Sequence, residues 1–244
     1  MQTYESVLAR IEQGLAQGRW KMGDRLPSER AFSDEFEVSR ASVREALRVL
    51  EAMGIVRRST GSGPESGAIL IDKPAAGLGS AMRLHIASGA TSVRDVVEMR
   101  LIIEKWALPA VAMRCAAEQL HAESAATKTH SPNCLDRAKE LLDLMGKPAV
   151  DIEEFQQLDA AFHVELVSIA GNPLIEATML GLRKSIEEYV RQGLGKLEDP
   201  RQLLIALHQQ HTEILEALAQ GNASLAQQLI HDHIEGFYRT ALSS

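Results

Sequence analysis

Asp159 and His163 stand four residues apart in DIEEFQQLDAAFHVELVSIA, so on a helix both side chains reach toward one point. Ile152, Phe155, Leu158, Phe162, Leu166 and Ile169 form the apolar face of that helix, with Asp159 inside the face and His163 at its edge. Two more histidines have the same setting: His211 shares a face with Leu207, Ile214 and Leu218, and His233 shares one with Leu229 and Phe237. The turn between these last two helices centres on Gly221-Asn222. His211 lies about ten residues before it and His233 about eleven beyond, so at about 1.5 Å per residue the two imidazoles reach nearly the same height in an antiparallel pair. Taken singly, a buried histidine is an ordinary hydrogen-bonded core residue. Four inward residues on three helices at matching heights point instead to one divalent cation, held by a carboxylate and three imidazoles. That donor set suits Zn²⁺ first, with Ni²⁺ or another first-row ion as alternatives. His208 sits toward the edge of its helix face and is expected outside the ligand set.

Arg100 belongs to the same discussion. Val93, Val96, Val97, Ile103 and Ala107 place it on the inward face of its helix, and an inward guanidinium needs an anion. Glu104, one turn on, offers an ion pair; a bound carboxylate effector offers the other reading.

The second cluster with chemical meaning is cationic. From Ser39 to Gly61 there are five arginines (Arg40, Arg44, Arg48, Arg57, Arg58) against Glu45 and Glu51. Arg40, Arg44 and Arg48 repeat every four residues, a quarter turn from the apolar stripe Val43, Ala46, Leu47 and Leu50, so one helix carries a packing face and a cationic face. Arginine's planar fork suits phosphate and the O6/N7 edge of guanine. A recognition helix reads base edges with its N-terminal residues, here Arg40, Ser42 and Arg44, while Arg30 on the preceding helix is placed to meet the backbone.

The elements that must position these groups follow from periodicity. Tyr4, Val7, Leu8, Ile11 and Leu15 mark a first helix ending near Gly18. Ser28 caps ERAFSDEF, a tight break falls at Glu37–Val38, and Ser39 caps RASVREALRVLEAM, which Gly54 closes: a helix-turn-helix. IVRRST and GAILI, bracketing GSGPESG, read as a β-hairpin wing. DKPAAGLGS reads as a linker. Beyond it the pattern is helical at roughly 92–114, 134–145, 151–170, 173–191, 201–219 and 224–240, with 115–150 the least regular stretch. The expected architecture is mainly α: a winged helix-turn-helix with a small β-hairpin over 1–73, a linker over 74–90, and an all-α antiparallel helical bundle over 91–244.

Charge agrees with this division. The chain carries −7 overall, yet residues 1–73 balance 11 basic against 11 acidic residues, so the remainder carries the whole excess. A local basic patch on a neutral domain fits site-specific DNA binding rather than general coating of nucleic acid. No apolar run is long enough for a membrane span and the N-terminus is not a signal peptide, so a cytoplasmic protein is expected, with Cys115 and Cys134 as reduced thiols.

The segment RLPSERAFSDEFEVSRASVREALRVLEAMGIV resembles the signature of the GntR family of bacterial transcriptional regulators. The resemblance implies operator contacts at Arg30, Ser39, Arg40, Arg44 and the wing glycine Gly61, and a homodimer on a short palindromic double-stranded operator. The wing, GSGPESG, is longer than the usual Gly-x-Gly. DAAFH, HTEILEAL and HDHIEGF resemble the FCD sensing domain of the FadR subgroup, whose metal-binding members use the positions of Asp159, His163, His211 and His233 as ligands. Lactate-type regulators are the nearest in wording, which implies a small carboxylate effector, lactate or another short hydroxy- or keto-acid. In that subgroup a matching arginine on the helix of Arg100 often faces the ligand. The expected function is therefore a DNA-binding regulator, in the simplest case a repressor and not an enzyme. The alternative is a metal-dependent enzyme with a DNA-binding appendage, against which stands the lack of any base or nucleophile beyond the ligands themselves.

Overall fold

A computed structural model of the chain describes residues 3–59, 67–71, 74–89, 91–124, 133–197 and 199–241. It divides into two compact units, Met1–Ser80 and Ala81–Ser244, each with its own apolar core.

The first unit holds α1 (Tyr4–Ala16), α2 (Glu29–Phe36), α3 (Arg40–Ala52) and an antiparallel pair, β1 (Val56–Ser59) and β2 (Gly67–Leu70), in register Val56 to Leu70 and Ser59 to Gly67. Val7, Ile11, Phe32, Val43, Ala46, Leu47 and Leu70 fill its core. The tight turn between α2 and α3 has a definite construction. Ser28 Oγ accepts from Ala31 N–H to start α2, and Ser39 Oγ accepts from Ser42 N–H to start α3. Between them Glu37 takes the left-handed conformation at φ 55°, which breaks the helix in one residue, and Ser33 Oγ donates to Val38 O at 2.6 Å. Periodicity did not reveal that the stretch before α2 joins the sheet: Leu26 N–H donates to Ala68 O and Leu70 N–H to Asp24 O. The wing tip, including Gly61, lies outside the described residues.

Residues 74–90 carry a helix, α4 (Pro74–Ala87). Pro74 sits at its first position, where a missing N–H costs nothing. The second unit continues with α5 (Val93–Ser124), α6 (Asp136–Met145), α7 (Ile152–Ile169), α8 (Pro173–Gly195), α9 (Arg201–Ala219) and α10 (Ala223–Ala241). Asn172 caps α8 through bonds from Leu174 and Ile175 N–H, and Gly171 and Gly221 supply positive φ at the two turns expected from the sequence. Ile152, expected on the buried face of α7, is exposed because it opens the helix at its solvent end.

Helix α5 extends ten residues beyond the expected stop near 114. Ala116, Ala117, Glu118, Gln119 and Leu120 are all helix formers, and Cys115 is anchored in the core. Its Sγ lies 3.0 Å from that of Cys134, and both are free thiols. Pro109 sits inside α5 and offers no N–H to Lys105 O, four residues back. The carbonyl is satisfied from another helix: Gln227 Nε2 on α10 donates to it at 2.6 Å.

The two cores predict separable unfolding. Phe32 is fully buried, edge-on to Trp20 and tilted against Phe36 at 5.0 Å. Phe32→Ala is expected to destabilise the first unit by about 3–5 kcal/mol and to leave the second untouched. Calorimetry checks this: only one of two transitions should move.

Candidate metal centre and candidate nucleic-acid interface

Helix α7 brings Asp159 and His163, α9 brings His211 and α10 brings His233 to one buried point, with one ligand atom from each within 4.8 Å of every other. His211 Nε2 lies 3.2 Å from His163 Nε2, 3.2 Å from His233 Nε2 and 3.2 Å from Asp159 Oδ1. All four residues are at most 3 % exposed. The matching heights of His211 and His233 inferred from the turn position are thus met.

The outer hydrogen bonds decide what the inner nitrogens carry. His163 Nδ1 is 2.5 Å from Glu104 Oε2. Glu104 is held ionised despite complete burial, because His163 and Arg100 outweigh the desolvation that opposes its charge. A carboxylate only accepts, so His163 carries its proton on Nδ1 and presents a lone pair at Nε2. His233 Nδ1 is 2.8 Å from Gln210 Oε1 and by the same reasoning presents a lone pair at Nε2. Burial pushes the protonation of both imidazoles below the ordinary range, helped by Arg100 for His163 and by the neighbouring imidazoles for His233, so both stay neutral. Burial also opposes ionisation of Asp159, but the hydrogen bond from His211 and the charges around it keep the carboxyl below its usual range.

These facts leave the centre with too few protons. A single proton on His211 Nε2 could satisfy one of three acceptors: Asp159 Oδ1, His163 Nε2 or His233 Nε2. The remaining lone pairs would face each other in a site from which water is excluded. With its proton on Nδ1, a buried atom with no partner in the protein, His211 adds a further lone pair to the group. An electron-rich tetrad of this kind fits a divalent cation, and neutral imidazole with carboxylate is the donor set of first-row metals. Outer partners of this type orient ligands and raise their basicity. When bound, such an ion supplies Lewis-acid charge for holding an anionic group.

Arg100 combines both readings made from the sequence. Its Nε donates to Glu104 Oε1 at 2.7 Å and Nη1 bonds Tyr189 Oη, yet Nη2 is buried without a partner. The arginine thus keeps one donor free beside the tetrad, and Asp159 feels its charge. Gln156 Nε2, one turn before Asp159 on α7, is likewise buried and unpaired. His208 is remote from the tetrad in its bonding: Nε2 meets Leu142 O at 3.1 Å. Sequence reasoning missed the bridging role of Glu104 and the parts of Gln210 and Tyr189. The available signal was a second charged residue, Glu104, on the inward face of α5.

In the first unit Arg30, Arg40, Arg44 and Arg48 are all exposed, so the cationic face of α3 points outward. Arg44 Nε lies 3.2 Å from Glu29 Oε2, and Arg58 Nη2 lies 3.3 Å from the other oxygen of the same carboxylate. Glu29, overlooked in the sequence, therefore ties α3 to β1. Arg48 pairs with Glu45 at 3.5 Å, not with Glu51, which instead accepts from Arg58 N–H. Arg30 is loosely paired with Asp34 at 3.7 Å. Ser39 and Ser42 bond each other through their hydroxyls at 3.0 Å, so the cap and the start of the cationic face of α3 are one structure. No helix among the described residues is long and apolar enough to cross a membrane.

Comparison with known proteins matches this pairing of units. The model of "Bacterial regulatory proteins, gntR family" matches residues 3–64 and that of the "FCD domain" matches residues 95–236. The chain belongs to the GntR family of transcriptional regulators and carries an FCD domain. It is 27 % identical over 218 residues to the HTH-type transcriptional regulator LutR of Bacillus subtilis, covering 89 % of this chain and 91 % of that one. It is 26 % identical over 241 residues to the HTH-type transcriptional repressor NanR of Cronobacter sakazakii, covering 97 % and 84 %. It is 25 % identical over 231 residues to the Glc operon transcriptional activator of Escherichia coli, covering 94 % and 85 %. Among solved structures a GntR protein of Streptococcus agalactiae shares the fold, with a TM-score of 0.61 at 21 % identity over 98 % of this chain and 100 % of that one.

Two variants test the centre. Glu104→Gln keeps every ligand atom but removes the carboxylate behind His163, and is expected to weaken Zn²⁺ binding about 10–100-fold in competition with a chromophoric chelator. His211→Ala with His233→Ala should abolish binding; full metal occupancy by mass spectrometry would remove the ligand assignment.

Proposed function

We propose that this GntR-family regulator binds a palindromic operator as a homodimer and that a small organic acid, bound at a divalent metal ion in the second unit, sets its operator affinity. The observation that carries the reading is the unfilled Nη2 of Arg100 beside a lone-pair tetrad. A cation with open positions and a neighbouring guanidinium donor together suit a carboxylate bearing a second oxygen, such as lactate or another short hydroxy- or keto-acid. Zn²⁺ is the proposed ion, with Asp159, His163, His211 and His233 as its ligands and Arg100 as the effector anchor.

Arg30, Ser39, Arg40, Ser42, Arg44 and Gly61 are the proposed DNA contacts, in a DNA-binding part over 1–73 that joins the sensing part over 91–244 through residues 74–90. The exposure of the three arginines among these contacts and the tie between Arg44 and Arg58 through Glu29 support this face. The sense proposed is repression in a cytoplasmic protein: the free regulator holds the operator and the acid releases it. An acid that binds one of two conformations about 100-fold better shifts their balance by about 2.7 kcal/mol, enough to control occupancy.

The test is a mobility-shift titration of a promoter fragment with candidate acids, with and without a chelator, while acid concentration is followed. The reading expects unchanged acid, altered DNA affinity and loss of the response with chelator. Consumption of the acid would favour a metal-dependent enzyme instead. Arg44→Ala should cost specific binding about 1–3 kcal/mol or more with the fold intact; unaltered binding would remove α3 as the reading helix. Arg100→Ala should blunt the acid response while metal content stays within twofold of the wild-type chain; an undiminished response would return Arg100 to a purely structural ion pair.

A further inference from the structure

The chain has two cysteines, 19 positions apart, and the fold brings them together. Cys115 on α5 belongs to the core of the second unit, and Cys134, two residues before α6, is half-buried. Neither belongs to the buried cluster of Asp159, His163, His211 and His233. Their Sγ atoms lie 3.0 Å apart. A disulfide needs about 2.05 Å, so the two sulfurs have only about 1 Å to close. Both are held in place. Glu118, on α5 close to Cys115, accepts from Cys134 N–H at 2.9 Å, which seats the backbone of Cys134 against α5. Asn133 Oδ1 accepts from Leu135 N–H at 2.9 Å, Asp136 Oδ2 accepts from Asn133 N–H at 2.8 Å, and Leu135 is fully buried. Cys134 therefore sits in a built turn that starts α6.

We propose that Cys115 and Cys134 are a reversible dithiol–disulfide pair, closed by a small-molecule disulfide of the glutathione type, and that the bond locks the start of α6 to α5. The less buried Cys134 loses its proton, and its sulfur attacks one sulfur of oxidised glutathione, releasing one glutathione thiolate. Cys115 then loses its proton and attacks Cys134 Sγ, forming the internal bond and expelling the second thiolate. The two protons end on the two released glutathione thiols; the protein gives up two electrons and the small disulfide takes them. Burial pushes both thiols up, and for Cys134 the neighbouring Cys115 and Glu118 add to the effect, so the resting state is the dithiol. Exchange runs through a thiolate, and a thiol of high pKa is a poor leaving group, so the bond is slow to form and slow to open. Helix α6 packs on α7 and α9, which carry Asp159, His163 and His211. The bond thus fixes one end of a helix that lies against the supports of the buried cluster.

The experiment treats the full native chain with oxidised glutathione, alkylates the remaining thiols in denaturant and weighs the product. With no other cysteine in the chain, the expected result is loss of both thiols, a mass lower by two hydrogens and no retained glutathione. A non-reducing gel should show a single-chain band, and a dithiol reductant should restore both thiols. Cys115→Ser should instead retain one glutathione on Cys134, and Cys134→Ser should keep Cys115 as a free thiol over the exposure that closes the wild-type chain. Because a crosslink restricts the unfolded chain, the thermal transition of the second unit should rise by about 5 °C on oxidation. Glutathione retained on the wild-type chain, a bond between two chains, or two thiols that survive in the native chain would each overturn the pair. Cys134→Ser taking up glutathione at Cys115 as fast as the wild-type chain closes would overturn the order of attack. A bond that forms without raising the transition would overturn the lock on α6 and leave the pair standing.

Discussion

The hydrogen bond between Glu104 and His163 is the interaction on which the second unit turns. It fixes which nitrogen of His163 holds the proton, and so which lone pair faces inward. It also gives Arg100 a fixed counter-charge, and through Arg100 it orders Tyr189 on α8. Removing ions from water is costly, and such a group is tolerable only when every partner is supplied. The few atoms left unsupplied, on Arg100, Gln156 and His211, belong to residues at or beside the tetrad. The unsatisfied chemistry of the described core is thus concentrated at one site.

The first unit solves a different problem with a similar device. Its cationic helix α3 stays exposed and charged yet keeps a defined orientation. The apolar stripe Val43, Ala46, Leu47 and Leu50 supplies the packing. A single carboxylate, Glu29, gathers Arg44 of α3 and Arg58 of β1. Exposed ion pairs add little stability; the value of this one lies in aligning two arginines on one surface.

Much of this was legible in the residues, for a physical reason. Helices convert residue count into distance, so the turn at Gly221-Asn222 was enough to set His211 and His233 at one height. Caps at Ser28, Ser39 and Asn172 were readable because orphan N–H groups need acceptors of few kinds. Two other contacts between elements distant in sequence were not readable. The addition of Asp24 and Leu26 to β2 depends on tertiary closure, and the reach of Glu104 on α5 to His163 on α7 spans 59 residues. The length of α5 was underestimated because 115–150 lacks a clear apolar period, although its residues favour helix individually.

Pro109 has a consequence that reaches the buried Asp159, His163, His211 and His233 cluster. The carbonyl it leaves without a helical donor is that of Lys105, the residue after Glu104, and the donor that replaces it is Gln227, six residues before His233 on α10. A backbone group of one helix is therefore pinned to a side chain of the other within two turns of each site residue. The proline that weakens α5 as a helix acts as a ruler, setting the axial register at which the carboxylate behind one imidazole and the imidazole of another come level.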